Sequence, residues 1–72
     1  MKGVKAMTKK RKYVFGVFYK GNLVLQVGNN LICNDETAKT IVALLDMAKH
    51  VLAEGHYFAC DYYENVYKTN KI

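Results

Sequence analysis

Residues 34–55, with the sequence NDETAKTIVALLDMAKHVLAEG, predict the clearest element of the chain. Its apolar side chains recur at spacings of three and four, as one face of an α-helix requires. They are Ala38, Ile41, Leu45, Ala48 and Leu52, and Val42, Leu44 and Val51 widen the stripe. Asn34 or Asp35 suits the N-cap, acidic residues fill the first turn, and Gly55 stands where a helix C-terminal glycine belongs. The pattern predicts an amphipathic helix from about Asp35 to Glu54.

Segments rich in aromatic and β-branched residues flank this helix. Tyr13–Tyr19 and Leu23–Val27 read as two strands of a hairpin, because Gly21-Asn22 supplies the positive φ values that a two-residue turn needs. Leu31–Cys33 reads as a short third strand. His56–Tyr67 is again aromatic and extended, and predicts a long closing strand. The element order is therefore ββ(β)αβ.

These elements predict one small α+β domain, in which one amphipathic helix packs on one face of a three- to four-stranded sheet. The strand after the helix is expected to pair in parallel with a hairpin strand through a right-handed crossover. The chain of 72 residues has room for a single domain, assigned to residues 13–68. Residues 1–12 are expected to form a basic mobile tail and residues 69–72 a frayed C-terminus.

Basic residues are concentrated at the start of the chain. Eleven Lys and Arg against six Asp and Glu give a formal net charge of +5. The basic residues of the first twelve positions, with no acid among them, are Lys2, Lys5, Lys9, Lys10, Arg11 and Lys12. Such a tail is typical of a solvated terminus or of a contact with nucleic acid.

Composition also bears on compartment and source. The sequence has no apolar stretch of the length that crosses a membrane, and residues 14–19 are too short for a secretory signal. Cys33 and Cys60 are expected to be free thiols in the cytoplasm. Ten Lys to one Arg, with six Asn and six Tyr, indicate an AT-rich coding sequence and favour a phage, a mobile element or a low-GC bacterium as the source.

No pattern of residues indicates catalysis, a cofactor or a metal. His56 and Cys60 share a strand face, but they are four residues apart, about 13 Å along a strand, too far for a nucleophile and its base. Cys33 has no partner at zinc-ligand spacing, and His50 falls on the solvent side of the helix. The sequence therefore predicts a protein that is not an enzyme.

The two faces of the sheet point to an interaction surface. With the Gly21-Asn22 turn, strand alternation puts aliphatic side chains on the face that suits the helix. These are Val14, Phe18, Leu23, Leu25 and Val27, with Phe58, Cys60 and Tyr62 of the last strand. The other face carries Tyr13, Phe15, Tyr19, Tyr57 and Tyr63, and a single helix leaves it uncovered. Exposed aromatic surfaces of this kind usually bind partners.

Two functions compete on this basis. In the first, the protein binds a host or cognate protein stoichiometrically, as a phage or mobile-element inhibitor or regulator of a host system; homodimerisation through the sheet or a strand edge is a further expectation. In the second, the aromatic face stacks single-stranded nucleic-acid bases while Lys9, Lys10, Arg11 and Lys12 hold phosphates. Protein binding is favoured, because the chain from Tyr13 onward is not basic and one Arg offers little bidentate base recognition.

Overall fold

The computed structural model describes residues 9–69. Its elements, in chain order, are β1 (Lys10–Tyr19), β2 (Asn22–Gln26), β3 (Leu31–Asn34), α1 (Asp35–Asp46), a short 3₁₀ helix (Lys49–Val51), β4 (His56–Tyr62) and α2 (Tyr63–Thr69). Most of the predicted basic tail and of the predicted frayed C-terminus lies outside the described residues. The small α+β class is confirmed, with a four-stranded sheet.

β1 is the central strand, and all of its pairings are antiparallel. One edge of β1 pairs with β3 along Lys10–Tyr13 and with β2 along Gly16–Tyr19. Its other edge pairs with β4 in an unbroken register from Tyr13↔Tyr62 to Tyr19↔His56. The predicted parallel pairing of the last strand with a hairpin strand is therefore wrong. Because β1 lies between β3 and β4, the connection through α1 crosses over β1.

The hairpin turn lies one residue earlier than predicted. Lys20 and Gly21 occupy it, with φ values of 52° and 84°, and Tyr19 pairs with Asn22. Two consecutive positive φ values are the signature of a type I′ turn, which matches the right-handed twist of the flanking strands.

A register shift follows the turn. Phe18 pairs with Leu23, but Val17 pairs with Leu25, so one extra residue of β2 is accommodated as a bulge. Paired residues in an antiparallel sheet point to the same face. Leu23 and Leu25 therefore lie on opposite faces, whereas the predicted register placed them on the same face.

α1 begins as predicted and ends early. The Asn34 side chain accepts a hydrogen bond from the Thr37 backbone N–H at 2.8 Å, which confirms the N-cap. The helix ends at Asp46 rather than Glu54, where i→i+3 bonds tighten the chain into the 3₁₀ turn. Gly55, at φ 84°, belongs to the turn into β4 and not to the end of the helix.

α1 covers the face of β1 opposite to the one predicted, whereas Cys60 and Tyr62 of β4 lie on the helix-covered face as predicted. Tyr13 and Phe15 form a buried cluster with Cys33 of β3 and Ala38 of α1. The half-buried residues Ile41, Val42, Leu45, Cys60 and Tyr62 pack against this cluster. We call this face the α1 side. The prediction of a helix on an aliphatic face is wrong because alternation shows which residues share a face but not which face the helix covers.

The other face, the α2 side, is covered by a second helix. The predicted closing strand ends at Tyr62, and α2 follows directly. Val66 of α2 is buried against Val14 and Phe18, with Leu23 and Ala59 at the margin. Six consecutive residues of β1, Tyr13–Phe18, are consequently buried.

Candidate functional site

The structure buries two of the five predicted partner-binding residues. Tyr13 and Phe15 are each 4% exposed and lie beneath α1. Their rings pack at 6.2 Å between centroids, and Tyr13 also packs on Tyr62 at 5.3 Å. The expectation that Tyr13 and Phe15 project away from the helix is wrong, and both contribute to the core instead.

The other three tyrosines are accessible but do not form one patch. Tyr19 stacks on His56 on the α1 side, with 4.6 Å between ring centroids. Tyr57 stacks on Phe18 on the α2 side. Tyr63 begins α2 and lies six residues after Tyr57, which corresponds to about 20 Å along a strand axis. The predicted aromatic surface is therefore divided between two faces and two ends of the sheet.

An apolar surface occupies a different place, on the α1 side next to β2. Leu25 pairs with Val17 and Leu31 pairs with Tyr13, so both leucines point to the α1 side. α1 packs chiefly over β4, with smaller contacts to β1 and β3. The β2 edge is left open on this side, and Leu25 is 62% exposed and Leu31 41% exposed.

The flank of α1 turned away from β4 also carries an exposed leucine. Asp35 and Lys39 line a shallow cavity with residues of β4, which shows that their flank of α1 faces β4. Leu44 lies nine residues after Asp35, about half a turn around the axis at about 100° per residue. It therefore lies on the flank of α1 turned away from β4, and it is 62% exposed. We call Leu25, Leu31 and Leu44 the leucine surface.

Sequence reasoning missed this surface for two reasons. Leu25 was predicted on a covered face, because the bulge between Leu23 and Leu25 gives no clear signal in the sequence. Leu44 was predicted to widen the buried stripe of the helix, whereas the lateral position of α1 leaves it outside. Its spacing of three from Ile41 was the available signal for a side chain at the margin of the stripe.

The last four residues of the predicted basic tail, residues 9–12, lie partly in the sheet rather than in a mobile terminus. β1 begins at Lys10, so Lys10, Arg11 and Lys12 are strand residues paired with β3, and Lys9 precedes them. All four are exposed. The pairing of β4 ends opposite Tyr13, which leaves the β4 side of this segment open.

Two cation–aromatic pairs line a cavity at that open end of β1. The Arg11 guanidinium lies 4.5 Å from the centre of the Tyr62 ring, and the Lys12 ammonium lies 4.8 Å from the centre of the Tyr63 ring. With Glu64 these residues surround a cavity of about 260 Å³. Residues 9–69 carry eight Lys and Arg against six Asp and Glu, a net of +2.

The two cysteines belong to the cluster beneath α1. Cys33 and Cys60 are free thiols, and burial raises the pKa of each; Asp61 adds to the effect at Cys60. A raised pKa keeps a thiol protonated near neutral pH, where it is a weak nucleophile. His50 is exposed in the 3₁₀ turn, as predicted.

Residues 9–69 show neither a metal-binding cluster nor a membrane-spanning helix. They contain no group of three or more His, Cys, Asp or Glu side chains placed to hold a metal ion. No helix among them has the length and apolar character needed to span a membrane.

Comparison of the chain with protein-family models, with curated proteins and with solved structures finds no match. Function is therefore inferred from the surfaces described above.

Proposed function

We propose that this protein is a non-enzymatic binding protein that acts by stoichiometric protein–protein interaction, and that the leucine surface is where its partner docks. Its main support is the exposure of Leu25 on the open β2 edge and of Leu44 on α1, each 62%. Large aliphatic side chains that form one exposed surface are typical of interaction sites, whereas isolated ones are ordinary.

The exposure of these leucines does not contribute to the stability of the core. A domain of this size has a small core, and burial of Leu25 and Leu44 by α1 would have enlarged it. α1 instead lies over β4, so the leucines do not serve the core. The partner chemistry that fits is an apolar patch of similar size on a host or cognate protein, with affinity concentrated in a few buried anchors.

The proposed biological setting is that of a phage or mobile-element inhibitor or regulator that acts in the cytoplasm of a host. Its support is the small size and the lysine-, asparagine- and tyrosine-rich composition of the chain. The two unpaired cysteines fit a reducing compartment.

Paired surface variants test the proposal. The tagged wild-type protein is used to capture its partner from cells of the source, and the purified partner is then titrated with each variant. Leu25→Asp with Leu44→Asp should weaken binding at least about tenfold, because loss of a large interfacial anchor commonly costs about 2 kcal/mol. The fold should survive, since both positions are exposed.

Ile32→Asp is the matched control. Ile32 is 63% exposed on the same edge of the sheet, but it pairs with Lys12 and points to the α2 side. The control should bind with wild-type affinity. Equal binding by the leucine variant and the control would overturn the proposed docking surface, and so would a loss confined to the control.

A second candidate function, binding of single-stranded nucleic acid, is favoured by the cavity lined by Arg11, Lys12, Tyr62 and Tyr63. Aromatic rings next to cations are the elements with which such proteins stack bases and hold phosphates. Both rings already face a cation of the same chain, and Glu64 adds a negative charge to the cavity, so protein binding remains the preferred proposal.

Salt dependence separates the two functions. The full chain is titrated into a fluorescent oligothymidylate at several salt concentrations, with Arg11→Gln and Lys12→Gln as variants and Lys49→Gln as a distant control. Nucleic-acid binding should fall steeply with salt and should weaken in the two variants but not in the control. Protein binding should persist at moderate salt.

A further inference from the structure

The two edges of the sheet differ in their suitability for pairing with another strand. The edge formed by β2 and β3 is interrupted by the bulge next to Val17 and by the turn at Gly28-Asn29-Asn30. β4 has seven residues in one continuous register, and among the described strands it pairs with β1 alone. It also lacks the Lys, Pro and bulges with which proteins protect their edges.

Backbone hydrogen bonds show which groups of β4 face this open edge. The Tyr62 N–H donates to the Asp61 carboxylate at 2.7 Å, and the His56 N–H donates to a carbonyl of the preceding turn at 3.1 Å. Neither amide is directed at β1. Because residues of an antiparallel strand alternate between their two neighbours, Phe58 and Cys60 also direct their N–H and C=O groups away from β1. At its open edge, β4 therefore presents the backbone N–H and C=O groups of Phe58 and Cys60 to another strand.

We infer that β4 is the interface of a homodimer, in which two copies of β4 pair antiparallel about a two-fold axis at Ala59. In this register Phe58 lies opposite Cys60 of the second copy, and these two residues exchange backbone hydrogen bonds on each side of the axis. Ala59 faces its own counterpart at the point of closest Cα approach, where a small side chain fits. The sheets of the two copies become continuous.

Side-chain charge favours this register and this partner. On the α2 side, Tyr57 lies opposite Asp61 of the second copy, so each carboxylate meets a phenol rather than the other carboxylate. Registers centred nearer Asp61 would bring the two like charges together, which is unfavourable. Leu25 and Leu31 of the leucine surface lie at the other edge of the sheet, so the dimer presents two copies of that surface.

Amide exchange gives the direct test. Hydrogen exchange and sedimentation are measured on the wild-type chain over a wide range of protein concentration. The interface is small, so the dimer should dissociate on dilution. The Phe58 and Cys60 amides should gain protection as the dimer forms, whereas the Ala59 amide, which is bonded to β1, should stay protected throughout.

Two substitutions at one position test the register. Tyr57→Asp and Tyr57→Lys remove the same ring, but the first places a like charge opposite Asp61 of the second copy and the second an opposite charge. Dimerisation of Tyr57→Asp should be weaker than that of Tyr57→Lys by roughly tenfold, since two such pairs occur in each dimer. A protein that stays monomeric at all concentrations, a dimer with Phe58 and Cys60 unprotected, or equal dimerisation of the two variants would overturn the inference.

Discussion

The two faces of the sheet are covered by very different means. On the α1 side, a capped twelve-residue helix lies over Tyr13 and Phe15, and several half-buried side chains complete the cluster. On the α2 side, a seven-residue helix contributes one buried side chain, Val66. Yet Val14 and Phe18 beneath it are as deeply buried as Tyr13 and Phe15. The difference shows that a short helix is enough to bury the side chains of β1 on its second face.

The largest expected effect tests whether both faces are covered. Phe15→Ala and Phe18→Ala should each cost about 3–5 kcal/mol, because each ring is buried on its own side of β1. Chemical denaturation followed by tyrosine fluorescence measures the loss, with Phe→Leu variants where the alanine variants do not fold. If one face were open to solvent, one of the two substitutions would be nearly silent.

Val66→Ala should be the next largest change. It removes the one buried side chain of α2 and should cost about 2 kcal/mol of unfolding free energy, from lost burial and the cavity left behind. Tyr67→Ala, at the adjacent exposed position, is the control and should change stability by less than about 0.5 kcal/mol. Similar losses in the two variants would mean that α2 is not seated through Val66.

A smaller effect is expected at the N-cap on the α1 side. Asn34→Ala removes the acceptor for the Thr37 N–H and should cost about 1 kcal/mol. Asn34→Asp keeps an acceptor and should be close to wild type. Thermal unfolding of the three proteins provides the measurement, and an unchanged midpoint in Asn34→Ala would show that the cap contributes nothing to α1.

The smallest effect is a pH dependence that belongs to the α1 side alone, where both cysteines lie. Burial raises the pKa of Cys33 and Cys60 above the ordinary value of 9.0, so the unfolded chain loses these protons first. Their contribution to stability is complete below pH 9.0 and is lost as the pH rises through the folded-state pKa values. Denaturation between pH 7 and pH 10.5 should show a decline that is reduced in the double variant Cys33→Ala, Cys60→Ala.

Most helices and strands were predictable from the sequence. The face of the sheet that α1 covers was not. The helix start at Asn34, the hairpin and the short third strand each follow from nearby residues. The choice of face depends on which residues α1 meets across the sheet, which alternation cannot supply. The run Tyr13–Phe18 without a charged residue did hold a signal, because a strand covered on both faces reads as a continuous apolar run.

The missed second helix also had a local signal. Asp61 followed three residues later by Glu64 is a pattern typical of a helix N-terminus, and the aromatic residues between them favoured a strand instead. The leucine surface had a weaker signal, because exposure of Leu25 and Leu44 follows from a bulge and from the lateral position of α1. Both are set by packing over the whole domain.

A nuclear Overhauser spectrum of the full chain shows which helix covers each aromatic ring of β1. The Val66 methyl groups should contact the Phe18 ring, and the Ala38 methyl group should contact the Phe15 and Tyr13 rings. Contacts of the α1 methyl groups with Phe18, or of Val66 with Phe15, would contradict this arrangement of the two helices. They would show that the helices cover the opposite faces and that Leu25 does not lie on the face that α1 covers.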